Sequence, residues 1–358
     1  MNEFRPGLEG VVAFETEIAE PDKEGGALRY RGVDIEDLVG QVPYEQVWGL
    51  LVDDSFEPGM PRAEDVELPA RTGSAMADLQ AATTVLGGKW KLGQLIDIDD
   101  EQARDDLARL SAAMLSLVAQ SARGEKERVP DDVVAEGETA AERFLIRWRG
   151  EAAERHVRAI DSYWVSGAEH GANASTFTAR IVASTGADCG AAMSSAVGAL
   201  SGPLHGGAPT RVLRMLDEVA KSGDARTYVE ELLGRGERIM GFGHRVYRAE
   251  DPRARLLRRT AEDLGSDRVE TAKALEEAAL AALQEQHPER VLATNVEYWA
   301  AVVLDIANIP APLTPAMFAC ARVAGWSAHI LEQKRVARLI RPAARYTGPS
   351  PRALSELG

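Results

Sequence analysis

Over most of the chain, apolar residues recur three and four positions apart, the spacing that gathers them on one face of an α-helix. Ala141, Phe144, Leu145 and Trp148 form such a face, as do Val212, Met215, Leu216 and Val219, and later Leu275, Ala279 and Leu283. The first forty residues are different. Gly and Pro break them too often for helices, and Val11-Val12-Ala13-Phe14 and Ala27-Leu28-Arg29-Tyr30 read as short strands around an acidic turn. No alternation of strand and helix follows, which disfavours a parallel sheet and predicts an all-α fold with short strands near the N-terminus.

Between Pro58 and Asp106 the chain turns acidic and irregular, with Gly87-Gly88 interrupting it, and a loop-rich surface between helices is predicted there. Two Gly/Pro-dense points, Gly202-Pro203 to Pro209 and Pro310 to Pro315, bracket a segment rich in charge and helix formers. They read as hinges of an inserted small domain over 210–312, with 1–209 and 313–358 forming the large domain. A length of 358 residues is in keeping with two domains.

Composition and charge exclude several classes. The chain is 45% hydrophobic and 27% charged, and no uncharged run approaches the roughly 20 residues a membrane span requires. With 41 Lys+Arg against 56 Asp+Glu the net charge is −15, which repels phosphate backbones and makes nucleic acid an unsuitable partner. Any anionic ligand must then be held by a local basic cluster. Cys189 and Cys320 lie far apart in Ala-rich apolar surroundings, as reduced thiols would, and Met1 to Gly10 has no basic-then-apolar leader. A cytoplasmic protein is expected.

Three of the six histidines stand beside glycine, which lets backbone approach a ligand closely: His170 in Glu-His-Gly-Ala-Asn, His205 in Gly-Pro-Leu-His-Gly-Gly and His244 in Gly-Phe-Gly-His-Arg. His156, His287 and His329 lie in charged or apolar helical stretches and read as solvated or packed. No HExxH, CxxC or His-x3-His spacing suggests a metal. Gly241-Phe242-Gly243 fails as a dinucleotide fingerprint because Val246 takes the place of the third glycine, and Ser201-Gly202 lacks a nucleophile elbow. Arg245, Arg248, Arg253 and Arg255 crowd the segment after His244, where a Gly-x-Gly turn and arginine forks together suit phosphate or carboxylate. A second arginine cluster, Arg335, Arg338, Arg341 and Arg345, lies near the C-terminus.

These segments resemble the citrate synthase family. The resemblance is carried by Gly7-Leu8-Glu9-Gly10-Val11, Leu28-Arg29-Tyr30-Arg31-Gly32, Asn173-Ala174-Ser175-Thr176-Phe177 and Gly202-Pro203-Leu204-His205-Gly206-Gly207-Ala208. It continues in Gly241-Phe242-Gly243-His244-Arg245-Val246-Tyr247 with Asp251-Pro252-Arg253, in Ala321-Arg322-Val323-Ala324-Gly325-Trp326 and in Arg341-Pro342. About residues 55 to 135 the similarity is too faint to align. The resemblance implies a helical homodimer that joins acetyl-CoA to oxaloacetate and hydrolyses the citryl thioester, with no metal and no tightly bound cofactor, CoA entering as the substrate thioester. It assigns His205 to the thioester carbonyl, His244 to the oxaloacetate ketone, and His170, Arg253, Arg322 and the partner subunit's Arg341 to the carboxylates. Gly241, Phe242 and Gly243, with Arg248 and Arg245, would meet CoA phosphates.

Two positions depart from the family pattern. Gly171 stands where Glu usually follows the first histidine, and Glu297 in Asn295-Val296-Glu297 replaces the aspartate that serves as base. The longer side chain adds one methylene, roughly 1.5 Å of reach, and about 1 Å of misplacement can cost around a hundredfold in rate. Two further functions are therefore carried alongside citrate synthesis: 2-methylcitrate synthesis from propionyl-CoA, one methylene larger, and ligand sensing with weak turnover.

Overall fold

The protein is described from a computed structural model covering residues 4–22, 26–205, 209–243, 250–288 and 292–357. Three short antiparallel strands open it: β1 (Ala19–Asp22), β2 (Ala27–Tyr30) and β3 (Val33–Asp34), in the order β1-β2-β3. Val11–Phe14, expected as a strand, is irregular instead. Val11 and Val12 are exposed, while Phe14 lies under the Arg180 guanidinium at 3.9 Å and edge-on to His329, so this segment is held by side-chain stacking rather than by a ladder.

Helices make up nearly all the remaining regular structure among the described residues. They are α1 (Ile35–Leu38), α2 (Tyr44–Asp53), α3 (Ala75–Lys89), α4 (Asp100–Arg123), α5 (Asp131–Val134), α6 (Ala140–Arg149), α7 (Glu154–Gly167), α8 (Ala174–Ser184) and α9 (Cys189–Leu200). Then come α10 (Pro209–Ser222), α11 (Ala225–Gly234), α12 (Pro252–Leu264), α13 (Asp267–Gln286), α14 (Val296–Ile306) and α15 (Thr314–Val336). The faces predicted at Ala141–Trp148, Val212–Val219 and Leu275–Leu283 fall on α6, α10 and α13. Among the described residues no helix is long and apolar enough to cross a membrane.

The expectation of a loop-rich surface over Pro58–Asp106 is corrected by α3, which runs straight through Gly87-Gly88. The glycine there serves helix crossing, not helix breaking. A Cβ on Gly87 would lie 3.1 Å from Asp188 Oδ1 and 3.5 Å from Gly190 Cα, at the point where α3 meets the start of α9.

Helix α15 is buried on every side, and its sequence shows why: small and apolar residues from Thr314 to Leu331 leave no polar face, so α2, α3, α4, α7, α8 and α9 all pack on it. Arg322 and His329 are charged or titratable exceptions inside this core, 2% and 0% exposed. Such residues are rarely buried without partners, so they mark places where polar chemistry is retained on purpose. Helix α14 is nearly as apolar and packs on α7, α10 and α12. Its first turn is thereby brought to the end of α7 and near the Arg322 turn of α15.

Candidate functional site

The site forms where helix ends converge. Tyr163 and Gly167 come from the last turns of α7, His170 from the loop after it, and Asn173 is the N-cap of α8. Arg253 and Glu297 come from the first turns of α12 and α14, and Phe318 and Arg322 from α15. With His205, just beyond α9, they line a cavity of about 180 Å³. Residues far apart in sequence and proposed from it, His170, His205, Arg253, Glu297 and Arg322, are thus brought into one wall. Asn173, Asp251 and Asn295 cap α8, α12 and α14, so partial positive charge from three helix starts faces this region.

Each charged group is fixed by its neighbours. Arg322 Nε donates to the carbonyl of Gly167 at 2.6 Å, and its guanidinium lies over the Phe318 ring at 4.8 Å. A Cβ on Gly167 would sit 3.1 Å from Ala321 Cβ, so the glycine permits the close approach of α7 to α15 that makes this bond possible. Arg253 forms a fork with Asp251: Nε donates at 3.0 Å and Nη2 at 2.8 Å. Asp251 also accepts from the Val296 amide at 3.1 Å, tying the arginine to the residue beside Glu297. Asp251 is a site component that the pattern of histidines and arginines does not mark, although it stands in the Asp-Pro-Arg string.

The turn Gly241-Phe242-Gly243 is a scaffold for Glu297. Gly241 accepts from the Asn295 amide at 2.9 Å, Gly243 accepts from Asn295 Nδ2 at 2.9 Å, and Asn295 Oδ1 caps the Glu297 amide at 3.1 Å. Gly241 has φ +90°, and a Cβ on it would approach Tyr298 Cβ to 2.9 Å, so a side chain is excluded twice over. His244, Arg245 and Arg248 lie outside the described residues.

Burial pushes the Glu297 carboxyl above its ordinary range, Arg253 opposes this, and Asp251 adds to it. His205 is pushed down to about 4, first by burial and then by the Arg322 charge, with its own backbone carbonyl pulling the other way. It is therefore a neutral imidazole at pH 7. Its Nε2 is 2.9 Å from Ser175 Oγ, and its ring meets Phe318 edge-on at 6.0 Å between centroids. An unfolded histidine titrates near 6.5, so between about pH 6.5 and 4 the unfolded chain binds a proton that the folded chain refuses. Stability from this group is complete above that window and is lost as pH falls through it. Thermal melting followed from pH 7 to 4 should fall less steeply for His205→Gln than for the wild type; parallel curves would contradict the depressed value.

A second, larger cavity of about 920 Å³ is lined by Arg211, Arg214, Met215, Tyr228, Arg238 and Met240 among others, and it shares His205 and Glu297 with the first. The three arginines, on α10 and just before the glycine turn, were not singled out in the sequence, because arginine on a charged amphipathic helix looks like a solvated face. Arg341 lines neither cavity. It lies in the exposed stretch after α15, beside the point where the Ile340 amide donates to Ser184 Oγ at 3.0 Å. Beside His170, where Gly171 replaces a glutamate, a carboxylate is present on the preceding residue: Glu169 is fully buried and accepts from His329 Nε2 at 3.2 Å. Burial raises its carboxyl, but His329 and Arg322 prevail and hold it below its usual value. His329, packed as expected, buttresses the site from behind.

Comparison with known proteins gives a consistent result. The sequence profile of the citrate synthase C-terminal domain matches residues 7–343, including the stretch from 55 to 135 where the motifs alone could not be aligned. A Mycobacterium tuberculosis protein named "Putative citrate synthase 2" is 61% identical over 98% of this chain and 94% of its own length. Citrate synthase of Haloferax volcanii is 37% identical over 97% of this chain and 96% of its own, and 2-methylcitrate synthase of Shewanella oneidensis is 32% identical over 97% and 95%. Among solved structures, a ternary complex of Thermoplasma acidophilum citrate synthase with carboxymethyl coenzyme A and oxaloacetate superposes with a TM-score of 0.83 at 26% identity, covering 99% of both chains.

Proposed function

The chain belongs to the citrate synthase family of acyltransferases, and we propose that it condenses acetyl-CoA with oxaloacetate and water to give citrate and CoA. The observation that carries this reading is the junction of the two cavities: a carboxylate, Glu297, and a neutral imidazole, His205, are the residues common to both. The smaller cavity, well below the roughly 300–1,000 Å³ of a drug-sized site, holds Arg253, Arg322 and His170 and suits a small dicarboxylate. The larger, with three arginines, suits a long phosphate-bearing thioester.

A methyl group beside a thioester is a very weak carbon acid, so it is ionised only when a base and an oxygen-stabilising donor act together. Glu297 takes the methyl proton while His205 donates to the thioester oxygen. The resulting enol carbon attacks the oxaloacetate ketone, whose oxygen becomes a hydroxyl by taking up a proton; His244 polarises that ketone. Water then cleaves the citryl thioester, releasing citrate and CoA thiol. Arg253, Arg322 and His170 hold the dicarboxylate with one ketone face toward the nucleophile.

The reading is tested by release of CoA thiol from acetyl-CoA and from propionyl-CoA, each with and without oxaloacetate. Oxaloacetate-dependent release, faster with acetyl-CoA, is expected. Equal or faster release with propionyl-CoA would make the protein a 2-methylcitrate synthase, as one relative is named; no release from either would favour a ligand sensor.

Closure and pairing belong to the same proposal. Residues 210–312 form a small lobe hinged at the two Gly/Pro points, and Arg253 on that lobe and Arg322 on the large one draw together on the shared dicarboxylate. Small-angle scattering should give a smaller radius of gyration with oxaloacetate, and an unchanged radius would count against a hinge. Two copies pair through α3, α8 and α9, where exposed or half-exposed positions such as Ala81, Thr84, Val85, Ile181 and Ser195 carry no charge. The segment bearing Arg341 leaves α15 beside α8 at the margin of this face.

A further inference from the structure

Helix α6 carries a mixed stripe. Ala140, Arg143, Phe144 and Arg147 stand at i, i+3, i+4 and i+7, so two arginines share one helix face with alanine and phenylalanine. That face is turned inward. Arg147 is only 4% exposed, and with Arg143 it borders a cavity of about 70 Å³ between α4, α5, α6 and residues 60–63. The cavity shares no lining residue with the two described above. Its charge is unbalanced: Arg62 joins Arg143 and Arg147 in the wall, whereas Asp131 is the one carboxylate among the described residues lining it, and Arg128 Nη2 also donates to Asp131 at 2.8 Å. Glu45 does not close the gap. Its two oxygens each accept the Ala140 amide at 3.2 Å, and its contact with Arg143 Nη2 is 3.9 Å, outside hydrogen-bond range. Burial holds the Arg143 guanidinium below its ordinary range; Glu45 opposes this, and the Arg62 charge adds to it. Donors are left over as well. Arg147 gives its terminal nitrogens to the Val129 carbonyl and to Asp131, and its buried Nε has no hydrogen-bond partner among the described residues.

We propose that this cavity is a separate ligand site for a short-chain monocarboxylate, whose carboxylate meets Arg143, Arg147 and Arg62 while its apolar tail lies against Met60, Leu115 and Phe144. Three observations fix that chemical class. Water filling the cavity would satisfy spare donors but not the excess positive charge, so the occupant is an anion. A phosphate or sulfate ion would set bare oxygens against Met60, Leu115 and Phe144, which offer no hydrogen bonds, so the anion has an apolar end. The volume gives room for about five water-sized positions, which a carboxyl group and one or two further carbons fill. A thioester of CoA is far too large. Guanidinium forks suit a carboxylate because they offer paired N–H groups in its plane, and in a chain of net charge −15 such a cluster is what holds an anion at all.

Calorimetric titration of the full-length protein with sodium propionate, at neutral pH and fixed ionic strength in a carboxylate-free buffer, tests this. Saturable binding with a Kd of about 1 mM is expected, within reach of a ligand of about five non-hydrogen atoms. Propionamide, of the same shape without the charge, and inorganic phosphate should each bind about tenfold more weakly or worse. Arg143→Met should weaken propionate about tenfold or more, the loss expected for a charge-assisted hydrogen bond. Ala112→Leu, which fills the cavity and leaves every arginine in place, should abolish it. No saturable binding in the wild type overturns the proposal, and phosphate binding as tightly as propionate overturns the carboxylate class. The active-site cavity also holds arginines, so Arg253→Gln is the control. Propionate binding that is lost there and unchanged in Arg143→Met and Ala112→Leu belongs to that cavity and overturns the separate site. Folding of each variant is checked by thermal melting. Should Ala112→Leu not fold, Arg143→Met decides, together with Arg62→Ala on an exposed side chain, which should weaken binding about threefold or more. Binding needs no turnover, so the outcome is independent of the thiol-release assay.

Discussion

Glu297→Gln should abolish citrate formation, lowering kcat by about 10²–10⁴-fold, the usual contribution of a positioned general base, while oxaloacetate binding measured by calorimetry stays nearly intact. The two effects separate if, as proposed, Arg253 and Arg322 rather than Glu297 hold the dicarboxylate. Glu297→Asp is the finer test. It restores the residue type the family usually carries, but the local backbone is pinned by bonds from the Glu297 amide to Asn295, the Val296 amide to Asp251, and Asn295 to both Gly241 and Gly243. A scaffold held that way has little freedom to advance toward the substrate, so the shorter side chain stays back and kcat should fall about tenfold or more. A large gain would instead mean that glutamate is a handicap here and would favour the sensor reading. Retained activity in Glu297→Gln would mean that the base lies elsewhere.

Mixing an Arg341→Ala chain with a His205→Ala chain should restore activity that neither homodimer has. In a heterodimer one site would lack both groups and the other would have both, because Arg341 serves the partner's pocket in the proposed dimer. The chain's own geometry motivates this: Arg341 is exposed, lines neither cavity, and follows a residue tied to α8 beside the uncharged face. Each homodimer should lose about a hundredfold or more, since a lost arginine fork or oxyanion donor carries penalties of that order. After subunit exchange is verified by mass, no recovery in the mixture would show that Arg341 does not cross an interface or that the two sites do not act independently.

The sequence by itself determined the helical elements whose apolar spacing is local, such as Ala141–Trp148 and Val212–Val219, because a helix face is set by residues within two turns of one another. It also determined which residue types gather at the site, since His170, His205, Arg253, Glu297 and Arg322 stand in short ordered strings, the first three with glycine or proline beside them. Tertiary structure alone decided what local pattern leaves ambiguous. Gly87-Gly88 looks like a break until α9 is seen packed against it, and Val11–Phe14 looks like a strand until Phe14 is seen under Arg180. Arg211 and Arg214 look solvated until α10 is seen bordering the larger cavity. The partnership of Ser175 with Trp326, 151 residues later, and with His205, 30 residues later, has no local signature at all. A hydrogen bond needs two atoms within about 3 Å, and only the packing of α8 against α15 brings these there.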